Sequence, residues 1–153
     1  MQDKKWALRF LRIAREVSKW SKDPSTKIGA VAVGPDRNII ATGYNGFPKG
    51  IEDTEERLNN RELKYSLVVH AEMNCVYNAN LNGVSLRSST IYIYGLPCCS
   101  DCAKALIQCQ VIEVVYTAPK KVPRWQESSK LAMDMFREAN IPVEYIPMDE
   151  VDS

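Results

Sequence analysis

Histidine is almost missing from this chain: His70 is the only one among 153 residues. An excess of either charge is missing too, since 20 Lys and Arg face 19 Asp and Glu for a formal net charge of +1. A protein that grips long nucleic acid ordinarily carries a basic excess or a basic stripe. A small substrate is therefore favoured over a polymer. No apolar run approaches the roughly 20 residues that a membrane-spanning helix needs. The opening residues, Met1-Gln2-Asp3-Lys4-Lys5-Trp6, lack the apolar core of a secretory leader. The cysteines number 5, an odd count that suits no closed disulfide framework. The expectation is a reducing, cytoplasmic compartment in which cysteines serve as thiols or metal ligands. Repeats and low-complexity tracts are absent as well. What remains is ordinary: 45% hydrophobic and 25% charged residues. That suits one domain over residues 1–153 with a real core.

Apolar residues at helical spacing (Trp6, Phe10, Ile13, Ala14, Val17) predict an amphipathic helix from Lys4 to Lys22. Asp23-Pro24-Ser25-Thr26-Lys27 breaks it. Ile28 to Val33 reads as a buried strand, Gly34 to Asn38 as a turn and Ile39 to Tyr44 as a second, antiparallel strand. Ile51 to Ser66 is charged and without a period, so a surface loop with room for a helical turn is expected. A helix over His70 to Leu81, closed by Asn82-Gly83, precedes a strand at Thr90 to Tyr94. Then come a helix at Ser100 to Gln108, a strand at Val111 to Tyr116 and a linker at Ala118 to Pro123. A helix over Gln126 to Asn140 and a strand over Pro142 to Ile146 lead to an acidic tail, Met148 to Ser153, expected to fray. The order α-β-β-α-β-α-β-α-β predicts an α/β fold: a mixed five-stranded sheet, parallel in its second half, with helices on both faces.

Two short stretches carry chemistry. The first is His70-Ala71-Glu72, and the second is Pro97-Cys98-Cys99-Ser100-Asp101-Cys102. Each falls at the start of a predicted helix, where unsatisfied N–H groups and partial positive charge favour thiolate over thiol. His70, Cys99 and Cys102 form a borderline-soft donor set suited to Zn²⁺ with a fourth position open to water. Two thiolates balance the ion's charge. Glu72 serves better as a proton shuttle than as a ligand. Cys-x-x-Cys spacing favours Cys99 over Cys98 as the ligand, although a structural site using Cys98 as a fourth donor is the alternative. Cys75 and Cys109 read as packing residues. The combination H-x-E…P-C-x-x-C matches a recognised signature of zinc-dependent nucleobase deaminases.

Further segments narrow the resemblance: Asp23-Pro24-Ser25-Thr26-Lys27-Ile28-Gly29-Ala30, Gly43-Tyr44-Asn45-Gly46-Phe47-Pro48-Lys49-Gly50, Val69 to Asn74 and Pro97 to Lys104. With these the chain resembles the deoxycytidylate (dCMP) deaminase family of the cytidine deaminase-like superfamily. The resemblance implies the three-layer α/β/α cytidine deaminase-like fold and hydrolysis of dCMP to dUMP and ammonia. It implies that Asn45 holds the sugar, that Lys27 lies near the substrate phosphate, that Tyr116 walls the pocket and that Ala71 offers a backbone contact to the base. The bland alternatives are a turn residue, a solvated charge and a core aromatic for Asn45, Lys27 and Tyr116 respectively. The resemblance also implies a homo-oligomer, often a hexamer, with dCTP and dTTP as effectors at a Mg²⁺-assisted site. A second zinc seen in some relatives is not expected, because Ile51 to Val69 holds neither Cys nor His. The competing readings are deamination of a base in nucleic acid, such as tRNA adenosine, and a zinc-stabilised binding module without turnover.

Overall fold

The computed structural model of the protein describes residues 3–120 and 126–153. The first helix, α1, spans Lys4–Ser18 and starts on the Asp3 carboxylate, which accepts the Lys5 amide. It buries Phe10, Ala14 and Val17 of the expected stripe together with Ala7 and Leu11, while Trp6 and Ile13 are half-buried. It ends four residues earlier than the sequence pattern suggested. Ser18 Oγ returns to the Arg15 carbonyl at 2.6 Å, and the following loop forms its own bonds. Asp23 Oδ1 accepts the amides of Ser25 and Thr26, and Pro24 cannot continue a helix.

Strands β1 (Gly29–Val33) and β2 (Ile39–Tyr44) pair antiparallel, with Gly29 opposite Tyr44. The other strands are β3 (Thr90–Tyr94), β4 (Glu113–Thr117) and β5 (Val143–Tyr145). Sheet order is β2-β1-β3-β4-β5. β1 and β3 run antiparallel, whereas β3, β4 and β5 run parallel, as the alternation of strands and helices predicted. Adjacent residues along each strand face opposite layers, and residues two apart share one. Val31, Val33, Tyr92 and Val115 meet α1 on one face. Ala30, Ala32, Ile91, Ile93 and Val114 meet the opposite layer. That layer contains α4 (Ala71–Leu81), α5 (Ser100–Gln108) and α6 (Gln126–Glu138).

Two glycines let helices approach the sheet from its two sides. A Cβ on Gly29 would stand 2.0 Å from the Ala14 carbonyl oxygen on α1. One on Gly43 would stand 2.4 Å from the Cys75 amide nitrogen on α4. Close packing at Gly43 therefore fixes the height of α4, and with it His70, above the sheet.

Two expectations need correction. The stretch 51–66 is more than a loop. It holds α2 (Glu55–Asn59) and α3 (Arg61–Leu67), whose first amides are capped by Thr54 and Asn60. The acidic tail does not fray. It forms α7 (Met148–Asp152), with Val151 fully buried against α1. Arg12 Nε and Arg15 donate to the Val151 carbonyl at 3.0 and 3.3 Å, which answers the negative end of this short helix. Val151→Ala should therefore cost about 2 kcal/mol of stability in a denaturant titration, the value of the lost buried methyl groups. A frayed tail would show no change. Of the expected linker at 118–123, only Ala118, Pro119 and Lys120 lie within the described residues. Among the described residues no helix is long and apolar enough to cross a membrane.

Candidate active site

The sheet delivers two helix starts to one crevice. β3 ends at Tyr94, and Gly95 follows at φ +125°, where a Cβ would stand 2.8 Å from the Lys27 carbonyl oxygen. A side chain there would be strained and would clash. This tight turn brings the Pro97–Cys98–Cys99 segment over the strand ends, where open α/β sheets bind their ligands. Cys99 is the N-cap of α5, and its Sγ accepts the Cys102 amide at 3.4 Å. On the other side Val69 and Gly46 exchange backbone bonds of 2.8 and 3.1 Å, which sets His70 at the N-cap of α4. Asn74 and Asn78 then tie that helix to the Tyr44 and Thr42 carbonyls of β2.

His70 Nδ1 lies 3.4 Å from Cys99 Sγ and 3.4 Å from Cys102 Sγ. All three donor atoms fall within 4.8 Å of one another. A tetrahedral ion with Zn–N near 2.0–2.1 Å and Zn–S near 2.3 Å requires donors about 3.5 Å apart. The donor set and its spacing thus fit zinc. Among the described residues this is the one such group of three. Hydrogen bonding with Cys102, reinforced by His70, holds the Cys99 thiol down to about 4. The Cys102 thiol moves up, because it shares hydrogen bonds with Cys98 and Cys99 and is buried. The bond to Cys99 raises His70.

Cys98 is buried as well, yet its Sγ turns to the Cys99 carbonyl at 3.4 Å and does not join the triad. The Cys102 hydrogen bond lowers its pKa. Burial and the charges of Glu72 and Cys99 outweigh that effect and leave it at about 11. Glu72 occupies the first turn of α4 and is 4% exposed. Burial pushes its carboxyl up to about 7. It stands beside the triad without belonging to it. Cys75 is buried on the sheet-facing side of α4 as a packing thiol, as expected, with its Sγ on the Ala41 carbonyl of β2.

A cavity opens beside His70, lined also by Thr26, Ile28, Asn45, Lys64 and Leu96. Asn45 is 4% exposed, and its amide bridges the loop: Oδ1 accepts the Ile28 amide and Nδ2 donates to the Thr26 carbonyl. Each amide atom retains one further bonding position. Lys27 sits at the exposed edge of the same loop with its ammonium on the Ser21 carbonyl, outside the cavity lining. Ala71 is fully buried at the first position of α4. Tyr116 lies against Tyr145, ring centroids 5.3 Å apart, in a neighbouring cleft that Pro97 and Lys120 also line.

Two residues at the site escaped the sequence reading. Lys64 on α3 reaches the cavity from a segment without periodicity, and only its neighbours in space reveal it. Ser128 on α6 accepts the Ser100 amide through its Oγ at 2.9 Å. It thereby satisfies the first free N–H of α5, one residue past Cys99. No sequence signal links positions 28 residues apart in this way.

Comparison with known proteins agrees with this geometry. The family model for the cytidine and deoxycytidylate deaminase zinc-binding region matches residues 4–118. The chain is 36% identical over 147 residues to an uncharacterized deaminase in the luxG 3′ region of Aliivibrio fischeri, covering 95% of this chain and 96% of that one. It is 38% identical over 145 residues to a probable deoxycytidylate deaminase of Caenorhabditis elegans, covering 93% and 70%. The crystal structure of the cyanophage S-TIM5 dCMP deaminase in complex with dCMP and dUMP superposes with a TM-score of 0.76. It shares 23% identity, over 95% of this chain and all of that one, and so shares the fold.

Proposed function

The chain belongs to the cytidine and deoxycytidylate deaminase family, and on that premise we propose that it hydrolyses dCMP to dUMP and ammonia. One observation carries the reading: a His-Cys-Cys triad spaced for zinc, with the buried carboxylate of Glu72 next to it and outside it. A structural site has no need of that carboxylate. His70, Cys99 and Cys102 would hold the ion. Bound zinc supplies Lewis acidity that lowers the pKa of water from about 15.7 toward about 7.

Glu72 moves the protons. Its carboxylate takes one from the attacking water and passes it to N3 of the cytosine ring as the oxygen adds at C4. A second transfer, to the 4-amino group, lets ammonia leave as the C4–N bond breaks. The Ala71 amide contacts the base. Asn45, anchored to the Thr26–Ile28 backbone, offers its remaining amide positions to the sugar. Lys27 approaches the phosphate from the rim, and Tyr116 closes the neighbouring wall. Assembly into a hexamer, and control by dCTP and dTTP with Mg²⁺, enter this reading through family resemblance.

The test is ammonia release from dCMP, dCTP, deoxycytidine, cytidine and a tRNA anticodon stem-loop, with dCTP and dTTP added in turn to the dCMP reaction. Selective turnover of dCMP is the expected result. Turnover of the stem-loop alone would transfer the site to nucleic-acid deamination.

A further inference from the structure

The cavity beside His70 contains a cation that the chemistry above does not use. Lys64 is only 7% exposed. Its ammonium lies 3.3 Å from Asp23 Oδ1 and 3.4 Å from Ser25 Oγ. Both distances are long beside the about 2.7–2.9 Å of a good charge-assisted bond. Asp23 Oδ1 is engaged elsewhere too, by the Ser25 and Thr26 amides at 2.8 and 3.0 Å. An ammonium has three protons to donate, and this one directs two of them into weak bonds.

Lysine is rarely buried this deeply. An apolar side chain of similar size would secure α3 to the loop about as well. Position gives the charge a use. Lys64, Ser25 and Thr26 line the same cavity as His70 and Asn45. The cavity thus has a metal-ligand end and an end where Lys64, its Asp23 partner and two hydroxyls meet. Lys27 lies outside that lining, so Lys64 is the cation that meets an anion there, and its long contacts to Asp23 and Ser25 leave it free to turn to a stronger acceptor.

We propose that Lys64 is a specificity-determining residue that reads the 5′-phosphate of a nucleoside monophosphate whose base is turned toward His70 and Glu72. It thereby selects the monophosphate over the nucleoside. The inference rests on the reading of the site as a nucleotide deaminase.

Zinc-loaded wild type, Lys64→Gln and Lys64→Arg are compared by kcat and KM on dCMP, and by equilibrium binding of dUMP and deoxyuridine. Lys64→Gln should raise KM for dCMP and weaken dUMP by about 10- to 150-fold, the equivalent of one charge-assisted hydrogen bond. Deoxyuridine binding and kcat should change little, and Lys64→Arg should recover much of the preference for dUMP. A lysine that merely ties α3 to the loop would make dUMP and deoxyuridine fall together, and that result overturns the proposal. If Lys64→Gln does not fold because Asp23 is left unpaired, Asp23→Asn with Lys64→Gln removes both charges and must show the same dUMP-selective loss. Failure of the deaminase reading is visible separately, as wild type that neither turns over dCMP nor binds dUMP.

Discussion

Replacing Glu72 with Gln is expected to stop turnover and leave the metal in place. The side chains have nearly the same shape, so α4 and the His70 cap should be undisturbed. Glu72 is 4% exposed, and burial already disfavours its charge. A neutral amide at this position should therefore cost no stability, and the melting temperature should hold or rise. What the amide cannot do is accept a proton. General acid–base assistance is worth about 10²–10⁴-fold in rate, and here both proton transfers depend on one group. A loss of at least about 10³-fold in kcat, with one zinc per chain retained, is the expected pair of results. Zinc analysis and ammonia release on the same preparation check it. Substantial activity in the variant would remove Glu72 from the mechanism.

Cys99→Ser should lose the metal, whereas Cys98→Ser should keep it. The two cysteines are neighbours in sequence and both are buried. Their orientations separate them. Cys99 Sγ stands 3.4 Å from His70 Nδ1 and takes the Cys102 amide, whereas Cys98 Sγ points to a backbone carbonyl. A serine at 99 replaces a thiolate held near 4 with a hydroxyl that stays protonated, and two donors cannot retain zinc in the face of a chelator. Structural zinc binding is worth roughly 10–16 kcal/mol in small sites, so loss of a ligand should also lower thermal stability visibly. A serine at 98 replaces the S–H···O contact to the Cys99 carbonyl and the hydrogen bond to Cys102 with those of a hydroxyl, and removes none of the three triad donors. Metal content after dialysis distinguishes the variants. Equal loss in both would restore Cys98 as a ligand.

The sequence made the triad and the sheet readable for different reasons. His70, Cys99 and Cys102 are rare residue types at short, fixed spacings beside helix starts, so local pattern sufficed. β1, β3 and the hairpin are short apolar runs bounded by turns, and their alternation survives into the two packed layers. The segment 51–69 was opaque because its two helices are too short to show a period. The consequence of Lys64 depends on Asp23, 41 residues away. The tail was misread because a run of acids hides the one residue, Val151, that docks it, and its arginine partners lie on α1. Ser128 was invisible for the same reason: its bond crosses from one helix to the start of another. Lys27 sits at the exposed edge of its loop with its ammonium on the Ser21 carbonyl, and Tyr116 lines the neighbouring cleft, placements that spacing in the sequence does not reveal.

Whether these residues together deaminate a pyrimidine nucleotide is open to direct assay. The most direct measurement is product analysis of zinc-loaded protein incubated with dCMP, quantifying dUMP and ammonia in parallel. One dUMP and one ammonia for each dCMP consumed are expected, dependent on the metal and abolished by Glu72→Gln. Unchanged dCMP in the presence of fully loaded, folded protein would contradict it.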